Sequence, residues 1–276
     1  KGINVSLMLK YLGYQSTCFG FVAGFTGKEI VRQAEALGLK TNFIELPKGM
    51  SRVNVKLSSY DSKNSDTKWE TEVNGIGPEI TELSLEQLRK NMNGLENGDI
   101  LVLSGSIPKS LPDTLYRSII ELSFHKDVKV VVDATGKLLL NALSKKTFLV
   151  KPNKQELEEL YQIAIESKSQ LIECAKKIQL EGAKNVLVSL GGEGAVLLTE
   201  HRDIYMAKAP EGKLVNGVGA GDSMIAGFLA GYMEKENYEF AFKMAVAAGS
   251  ASAFSKNFAH RQSVEELLSK IQIKRI

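Results

Sequence analysis

The sequence predicts an α/β protein, a three-layer sandwich with a mostly parallel central sheet and a small β lid. Apolar runs rich in β-branched residues alternate along the chain with amphipathic segments of helical length. The run 128–132 is almost pure valine, which is typical of a strand that is covered on both faces. Both observations favour parallel strands joined by crossover helices.

Each element follows from its local pattern. Strands are predicted at residues 16–23, 99–103, 128–132, 147–150 and 185–190. Helices are predicted from a Thr26–Glu29 capping box to about Leu37, at about 112–123, from Asn153 onward, and at 224–233, 240–254 and 264–271. From Asp222 to its end the chain is expected to be helical.

One stretch breaks this rhythm. Residues 52–57 and 68–73 alternate with a period of two on either side of a polar turn at 58–67. This pattern predicts an antiparallel hairpin with one polar face. It is either a lid over a cleft, at about 51–75, or a simple surface hairpin. We expect one domain over residues 1–276 with this hairpin attached.

The composition excludes some classes of partner. The chain has 276 residues, a formal net charge of +3, and lysines mixed with acidic residues. We therefore expect neither nucleic acid nor a membrane as partner. Two cysteines make no disulfide framework and no metal-ligand spacing, which favours a reducing, cytoplasmic compartment. No apolar run reaches the ~18 residues that a membrane helix needs.

The segment 216–223 carries the sharpest chemical signal. Its sequence, Asn-Gly-Val-Gly-Ala-Gly-Asp-Ser, places three glycines in five residues just before a helical pattern. Backbone amides at a helix N-terminus favour anions. Asp222 in that position either takes a proton from an attacking hydroxyl in phosphoryl transfer or simply caps the helix.

Three further segments follow predicted strands. Asn153 and Glu156 either form a helix capping box or hold the waters of a Mg²⁺ ion that bridges nucleotide phosphates. Residues 189–194 form either a hairpin turn or a nucleotide-contact loop, and Ser104-Gly105-Ser106 ends another strand. Because open α/β sheets bind ligands at the carboxyl edge, we expect these segments to converge there.

The order of these motifs resembles the ribokinase-like carbohydrate kinases, in particular their phosphofructokinase B branch. The matching segments cover nearly the whole chain. They are Lys1-Gly2-Ile3-Asn4-Val5, Ser104-Gly105-Ser106-Ile107-Pro108, Lys151-Pro152-Asn153 with Glu156, Ser189-Leu190-Gly191 with Gly194, and Gly219-Ala220-Gly221-Asp222. A dinucleotide-binding oxidoreductase is rejected, because the glycines lie far from any first strand and lack the Gly-x-Gly-x-x-Gly order.

The resemblance implies a role for each matched residue. Asp222 is expected to be the catalytic base, with the amides of Gly219, Ala220 and Gly221 as an anion hole. Mg²⁺ and ATP phosphates are assigned to Asn153 and Glu156. The remaining contacts are assigned to the nucleotide (Ser189, Gly191, Gly194, Ala251, Ser252) and to the sugar phosphate (Gly2, Asn4, Arg52, Ser106).

Within the branch, residues 51–56 and 70–79 are most similar to 1-phosphofructokinases, which convert fructose 1-phosphate into fructose 1,6-bisphosphate. The alternatives are a tagatose-6-phosphate kinase and a truncated homologue that binds nucleotide without turnover. Family members carry an N-terminal strand and a Thr-Leu-Asn-Pro-Ala-x-Asp segment that this sequence lacks, so an upstream segment is expected to be missing. The resemblance also implies a homodimer that pairs through the lid.

Overall fold

The computed structural model describes residues 1–60, 68–108, 110–143 and 147–276. Its strands are β1 (Thr17–Ala23), β2 (Lys40–Leu46), β3 (Asn54–Tyr60), β4 (Lys68–Asn74), β5 (Ile100–Ser104), β6 (Lys129–Asp133), β7 (Thr147–Val150), β8 (Ala183–Ser189), β9 (Ala195–Leu198), β10 (Ile204–Ala207) and β11 (Ile273–Arg275). Its helices are α1 (Gly2–Tyr11), α2 (Gly24–Ala36), α3 (Glu82–Met92), α4 (Leu115–Leu122), α5 (Gly136–Ala142), α6 (Lys154–Tyr161), α7 (Lys168–Glu181), α8 (Ala220–Lys235), α9 (Tyr238–Ala253) and α10 (Arg261–Leu268).

The central sheet has seven strands in the order β11-β10-β9-β8-β7-β6-β5. Strands β5 to β8 are parallel, and they are the four that the sequence predicts at 99–103, 128–132, 147–150 and 185–190. Strands β9, β10 and β11 extend this parallel half with antiparallel pairs. The predicted parallel sheet therefore forms one half of a mixed sheet.

Helices cover both faces of this sheet. Alternate residues of β6 belong to different cores. Val131 belongs to the core that includes residues of α1, α8, α9 and α10, whereas Val130 and Val132 belong to the core that includes residues of α3 to α7. All three valines are fully buried. The valine-rich pattern thus reports burial on both faces, and the predicted three-layer sandwich is confirmed.

Two expectations near the amino end need correction. The strand predicted at 16–23 is present as β1, but it pairs in parallel with β2 in a separate two-stranded sheet and is only partly buried, with Phe19 37% exposed. The next helix begins at Gly24, and Thr26 does not cap it. The Thr26 hydroxyl instead donates to the carbonyl of Ser51, and Glu29 pairs with Arg32.

The predicted hairpin is present as an antiparallel pair, β3 and β4, which forms a sheet of its own. Residues 61–67 of its predicted polar turn lie outside the described residues. The three helices expected after Asp222 are α8, α9 and α10, but the chain then ends in strand β11, which the sequence did not indicate. In the described ranges, no helix combines the length and apolarity that crossing a bilayer requires.

Candidate active site

The carboxyl ends of the four parallel strands meet at one edge of the sheet, as the sequence predicts. The amide of Gly105, after β5, donates to the carbonyl of Asp133 at the end of β6 (2.9 Å). The amide of Ser189, at the end of β8, donates to the carbonyl of Pro152 after β7 (3.0 Å). The motif segments 151–156 and 189–194 are therefore adjacent, and segment 104–106 lies beside the end of β6 at the same edge.

The glycine-rich segment leads into α8 at the same edge. Gly219 caps the helix with φ of +80°, and a Cβ there would lie 2.5 Å from the ring of Phe258, so only glycine fits. The first amides of a helix lack partners within the helix. Ala220 N–H makes only a long contact of 3.3 Å with the carbonyl of Gly217. The turn thus presents amides at the positive end of a 16-residue helix.

Asp222 is the third residue of α8 and is 6% exposed. Its interpretation as the N-cap is wrong, because Gly219 occupies that position and no side chain caps the helix. The Asp222 Oδ2 atom instead accepts a 2.7 Å hydrogen bond from the side-chain amide of Asn4 in α1. The structure therefore brings together two predicted site residues from opposite ends of the chain.

Burial raises the pKa of Asp222 above its ordinary value, and the hydrogen bond from Asn4 opposes this shift. The nearby Asp133 carboxylate raises it further, while the amino terminus and Lys1 lower it. A carboxylate with a raised pKa is a stronger base. The environment of Asp222 therefore suits a group that accepts a proton from a hydroxyl.

Sequence reasoning assigned no role to Asp133 or Lys151, yet both lie in this site. Asp133 is 3% exposed, and its two carboxylate oxygens lie 2.9 Å from Lys1 Nζ and 3.4 Å from Lys151 Nζ. Burial alone would raise the pKa of Asp133, but the two lysines outweigh it and hold that pKa below its usual value. The sequence did offer a signal for both residues, because each is a charged residue that directly follows an apolar strand pattern.

Lys151 connects this ion pair to the glycine turn. A Cβ built on Gly221 would lie 3.1 Å from Lys151 Nζ, so the ammonium group fills the space that glycine leaves open. The Lys151 side chain is only 7% exposed. A buried ammonium group therefore adjoins the backbone amides at the start of α8.

Asn153 and Glu156 form the capping box that the sequence allowed. Asn153 Oδ1 accepts from the amide of Glu156, and Glu156 Oε2 accepts from the amide of Asn153, both at 2.8 Å. Within the described part of the chain, no group of three or more His, Cys, Asp or Glu side chains could hold a metal ion. Both residues remain partly exposed, and the capping box leaves the second carboxylate oxygen of Glu156 unused. Their assignment to the water shell of a Mg²⁺ ion stays a prediction.

The segment 189–194 is the hairpin connection between β8 and β9, built around one turn of 3-10 helix. Gly191 is exposed, and a Cβ there would meet no atom within 4 Å. Gly194 is buried instead, and a Cβ there would lie 2.0 Å from the carbonyl oxygen of Ala207 in β10. Close packing against β10 therefore explains why residue 194 is glycine, without any contact with a nucleotide.

Ala251 and Ser252 are buried inside α9. The Ser252 hydroxyl accepts a 2.8 Å hydrogen bond from Ser223 and a 3.3 Å bond from the amide of Ala259. Ser252 therefore ties α9 to the helix that carries Asp222. Their assignment to the nucleotide stays a prediction.

The residues predicted to hold the sugar phosphate come from three places. Asn4 and Gly2 lie in the first turn of α1, Arg52 lies at the base of the hairpin, and Ser106 follows β5. The Arg52 guanidinium donates a 3.2 Å hydrogen bond to the Ser106 hydroxyl, and both side chains are exposed. The hairpin is thereby joined to the sheet edge by two of the four predicted residues.

A buried base next to a helix N-terminus that attracts anions is an arrangement suited to enzymes that transfer phosphoryl groups to hydroxyls. The class defined by this fold and site is that of the carbohydrate kinases. The sequence profile of the "pfkB family carbohydrate kinase" matches residues 1–263, and the chain belongs to this family. It is a sugar-phosphate kinase with ATP as its phosphoryl donor.

Three relatives illustrate the comparison. A 1-phosphofructokinase of Bacillus subtilis is 43% identical over 276 residues, which are 100% of this chain and 88% of the relative. A D-tagatose-1-phosphate kinase of Bacillus licheniformis is 35% identical over 274 residues, which are 99% of this chain and 87% of the relative. A crystal structure from Staphylococcus aureus, described as a candidate phosphofructokinase, has a TM-score of 0.85 at 37% identity and covers 99% of this chain and 86% of its own.

Proposed function

We propose that this chain transfers the γ-phosphoryl group of ATP to the 6-hydroxyl of fructose 1-phosphate and forms fructose 1,6-bisphosphate. The observation that carries the proposal is the pairing of buried Asp222 with Asn4 beside the glycine turn of α8. The choice of sugar is supported by the 43% identity to a 1-phosphofructokinase along the whole chain.

In this mechanism the hydroxyl oxygen of the sugar attacks the γ-phosphorus while the bond from that phosphorus to the leaving ADP oxygen breaks. Asp222 accepts the hydroxyl proton, and Asn4 orients its carboxylate. The amides of Gly219, Ala220 and Gly221 stabilise the negative charge on the transferred group. Asn153 and Glu156 would hold Mg²⁺ through water, and that ion would neutralise phosphate charge.

The existing phosphate of the substrate is assigned to Arg52 and Ser106. A planar guanidinium suits bidentate contact with phosphate oxygens. The hydrogen bond that joins Arg52 to Ser106 places the cation and the hydroxyl within reach of one group. Gly2 completes this sugar-side set, and Ser189, Gly191, Gly194, Ala251 and Ser252 are assigned to the nucleotide side.

The test is a panel of ATP-dependent phosphorylation assays on fructose 1-phosphate, tagatose 1-phosphate, tagatose 6-phosphate and fructose 6-phosphate. We expect the highest kcat/KM for fructose 1-phosphate and a loss of about 100- to 10,000-fold in kcat for Asp222→Asn. Preference for tagatose 1-phosphate is the second candidate, because a tagatose-1-phosphate kinase is 35% identical over almost the whole chain. A chain that binds ATP and phosphorylates none of the four sugars would refute the proposal.

We further propose that residues 1–276 act as one kinase domain and that the β3–β4 hairpin is its lid and its dimer contact. Val55 and Val73 face each other across the hairpin, and Leu57 shares their face. These three apolar side chains are 44%, 56% and 56% exposed. A second copy of the hairpin offers a matching apolar face, and an isolated two-stranded hairpin is marginally stable alone.

A cytoplasmic location is part of the same proposal. Cys18 and Cys174 are both buried free thiols. A reducing compartment keeps such thiols unoxidised. Fluorescence microscopy of a tagged chain in its host would test the location.

A further inference from the structure

The Asp133 carboxylate is a deeply buried charge close to the proposed anion hole. The mechanism proposed above gives it no role. It is 3% exposed, at the end of strand β6, where an unpaired charge would be costly. Two ammonium groups surround it, those of Lys151 at 3.4 Å and Lys1 at 2.9 Å. The three charges sum to one positive charge.

One of the two ammonium groups, that of Lys151, lies next to the start of α8. Lys151 Nζ would lie 3.1 Å from a Cβ on Gly221, and Lys151 Cε would lie 3.4 Å from it. Gly221 is the second residue of α8 and immediately precedes Asp222. The ammonium group therefore lies between Asp133 and the amides that are proposed to receive the transferred phosphoryl group.

The conformation of the Lys151 side chain is restricted. That side chain is 7% exposed, and the backbone that follows it is fixed by the bridge between Asn153 and Ser189 and by the capping box of α6. The flexible four-carbon side chain of a lysine loses rotamer freedom on burial, which costs free energy. The ion pair with the Asp133 carboxylate offsets that cost.

We infer that Asp133 is a positioning residue, which holds the Lys151 ammonium group against Gly221 so that it stabilises charge on the phosphoryl group in transit. This inference rests on the proposed phosphoryl transfer at this site. The sugar oxygen bonds to the γ-phosphorus, the bond to ADP breaks, and the proton goes to Asp222. Lys151 keeps all its protons, and its charge lies near the oxygens of the transferred group.

A double-mutant cycle on kcat tests the inference with Asp133→Asn, Lys151→Met and the double variant. We expect Lys151→Met to lower kcat by about 100-fold or more, as for the loss of one preorganised charge-stabilising group. Asp133→Asn lowers kcat by a smaller factor. The double variant loses no more than Lys151→Met alone, because Asp133 acts through Lys151. Losses that multiply would overturn the inference.

A binding measurement supplies a readout that does not depend on the sugar. Isothermal titration calorimetry measures the affinity for adenylyl-imidodiphosphate and the affinity for ADP. The first affinity divided by the second reports on contacts with the γ-phosphoryl group. Both Lys151→Met and Asp133→Asn should reduce this ratio relative to the unmodified chain. An unchanged ratio in Lys151→Met overturns the inference even where Asp133→Asn fails to fold.

The matched control is Asp203→Asn. Asp203 pairs with Arg275 of strand β11, at the opposite edge of the central sheet from β5, so the substitution removes a more exposed carboxylate–cation pair outside the site. We expect unchanged kcat and an unchanged affinity ratio. A chain inactive on all four sugars whose ratio still depends on Lys151 and Asp133 would refute the substrate assignment and support this inference.

Discussion

The side-chain amide of Asn4 donates a 2.7 Å hydrogen bond to Asp222 Oδ2, and the two residues are 218 positions apart in the chain. The bond joins the first turn of α1 to the first turn of α8, and the two helices pack in the same core. Burial raises the pKa of Asp222, and the bond from Asn4 limits that rise. Asn4 therefore sets how strong a base Asp222 is as well as where it points.

The first prediction concerns the pH dependence of Asn4→Ala. Removing the amide removes an interaction that favours the ionised carboxylate, so the pKa of Asp222 rises further above its ordinary value. We expect the acidic limb of kcat/KM to move to higher pH. We also expect a loss of about tenfold or more on the plateau, because a hydrogen bond to a charged group contributes ~1.5–3 kcal/mol.

Lys10→Ala is the matched control for Asn4→Ala. Lys10 lies in the last turn of the same helix, and its ammonium group donates to the carbonyl of Leu37, away from the site. Its pH profile should coincide with that of the unmodified chain. An acidic limb that stays in place in Asn4→Ala would contradict the role given to this hydrogen bond.

The second prediction is that Asp222→Asn gains stability while it loses activity. The folded-state pKa of Asp222 lies above its unfolded value, so ionisation at neutral pH destabilises the fold. Asparagine removes that charge, and we expect Tm to rise at pH 7 by about 2–4 °C. The gain should shrink as the pH falls through the folded pKa of Asp222 towards the ordinary value of about 4.

Thermal unfolding of both proteins at pH 7 and at pH 4.5 measures this effect. Asp222→Ala serves as the comparison, because it also removes the charge but leaves the Asn4 amide without its acceptor. A lower Tm for Asp222→Asn than for the unmodified chain at pH 7 would show that the buried carboxylate is not a stability cost.

The third prediction separates two glycines that the family resemblance places together. In Gly194→Ala the added Cβ would lie 2.0 Å from the carbonyl oxygen of Ala207, at a φ of +105°. In Gly191→Ala it would meet no atom within 4 Å, at a φ of +57°. We expect a cost of about 1–2 kcal/mol for Gly191→Ala from the left-handed backbone alone. Gly194→Ala should cost at least ~3 kcal/mol, since overpacking adds to the strain.

Urea unfolding of the two variants measures this difference, and ATP affinity shows which glycine also serves the ligand. Equal costs would mean that the contact between the β8–β9 connection and β10 can relax. A selective loss of ATP affinity in Gly191→Ala would support its assignment to the nucleotide.

The parallel half of the sheet could be predicted because each strand carries its own signal. The valines of 128–132 are buried on both faces, and this burial fixes both composition and position. The short strands β9, β10 and β11 have no comparable pattern. Their places depend on antiparallel partners that lie elsewhere in the chain, such as Tyr205 opposite Arg275.

The site was predictable only in part, for a related reason. Asp222 and its glycines lie in one continuous segment, so their chemistry is readable locally. The contacts of Asp222 with Asn4, and of Lys151 with Asp133, join distant segments. Helix α1 itself was missed because Gly2 to Tyr11 is largely apolar and carries no capping signal. The capping box of Asn153 and Glu156 shows the converse, since a purely local motif was both predicted and found.

The last prediction concerns the lid as a contact between two copies of the chain. Leu57 is 56% exposed on the apolar face of the β3–β4 hairpin. Leu57→Asp would place a charge at the centre of the proposed dimer contact, and an unpaired buried charge costs ~3–5 kcal/mol. We expect the dimer Kd to rise by at least ~100-fold, as measured by sedimentation equilibrium. Glu72→Gln is the control, because Glu72 lies on the opposite face and pairs with Lys56, so its dimer should persist. A chain that is monomeric before any substitution, or a dimer that survives Leu57→Asp, would show that the exposed apolar face of the hairpin does not pair two subunits.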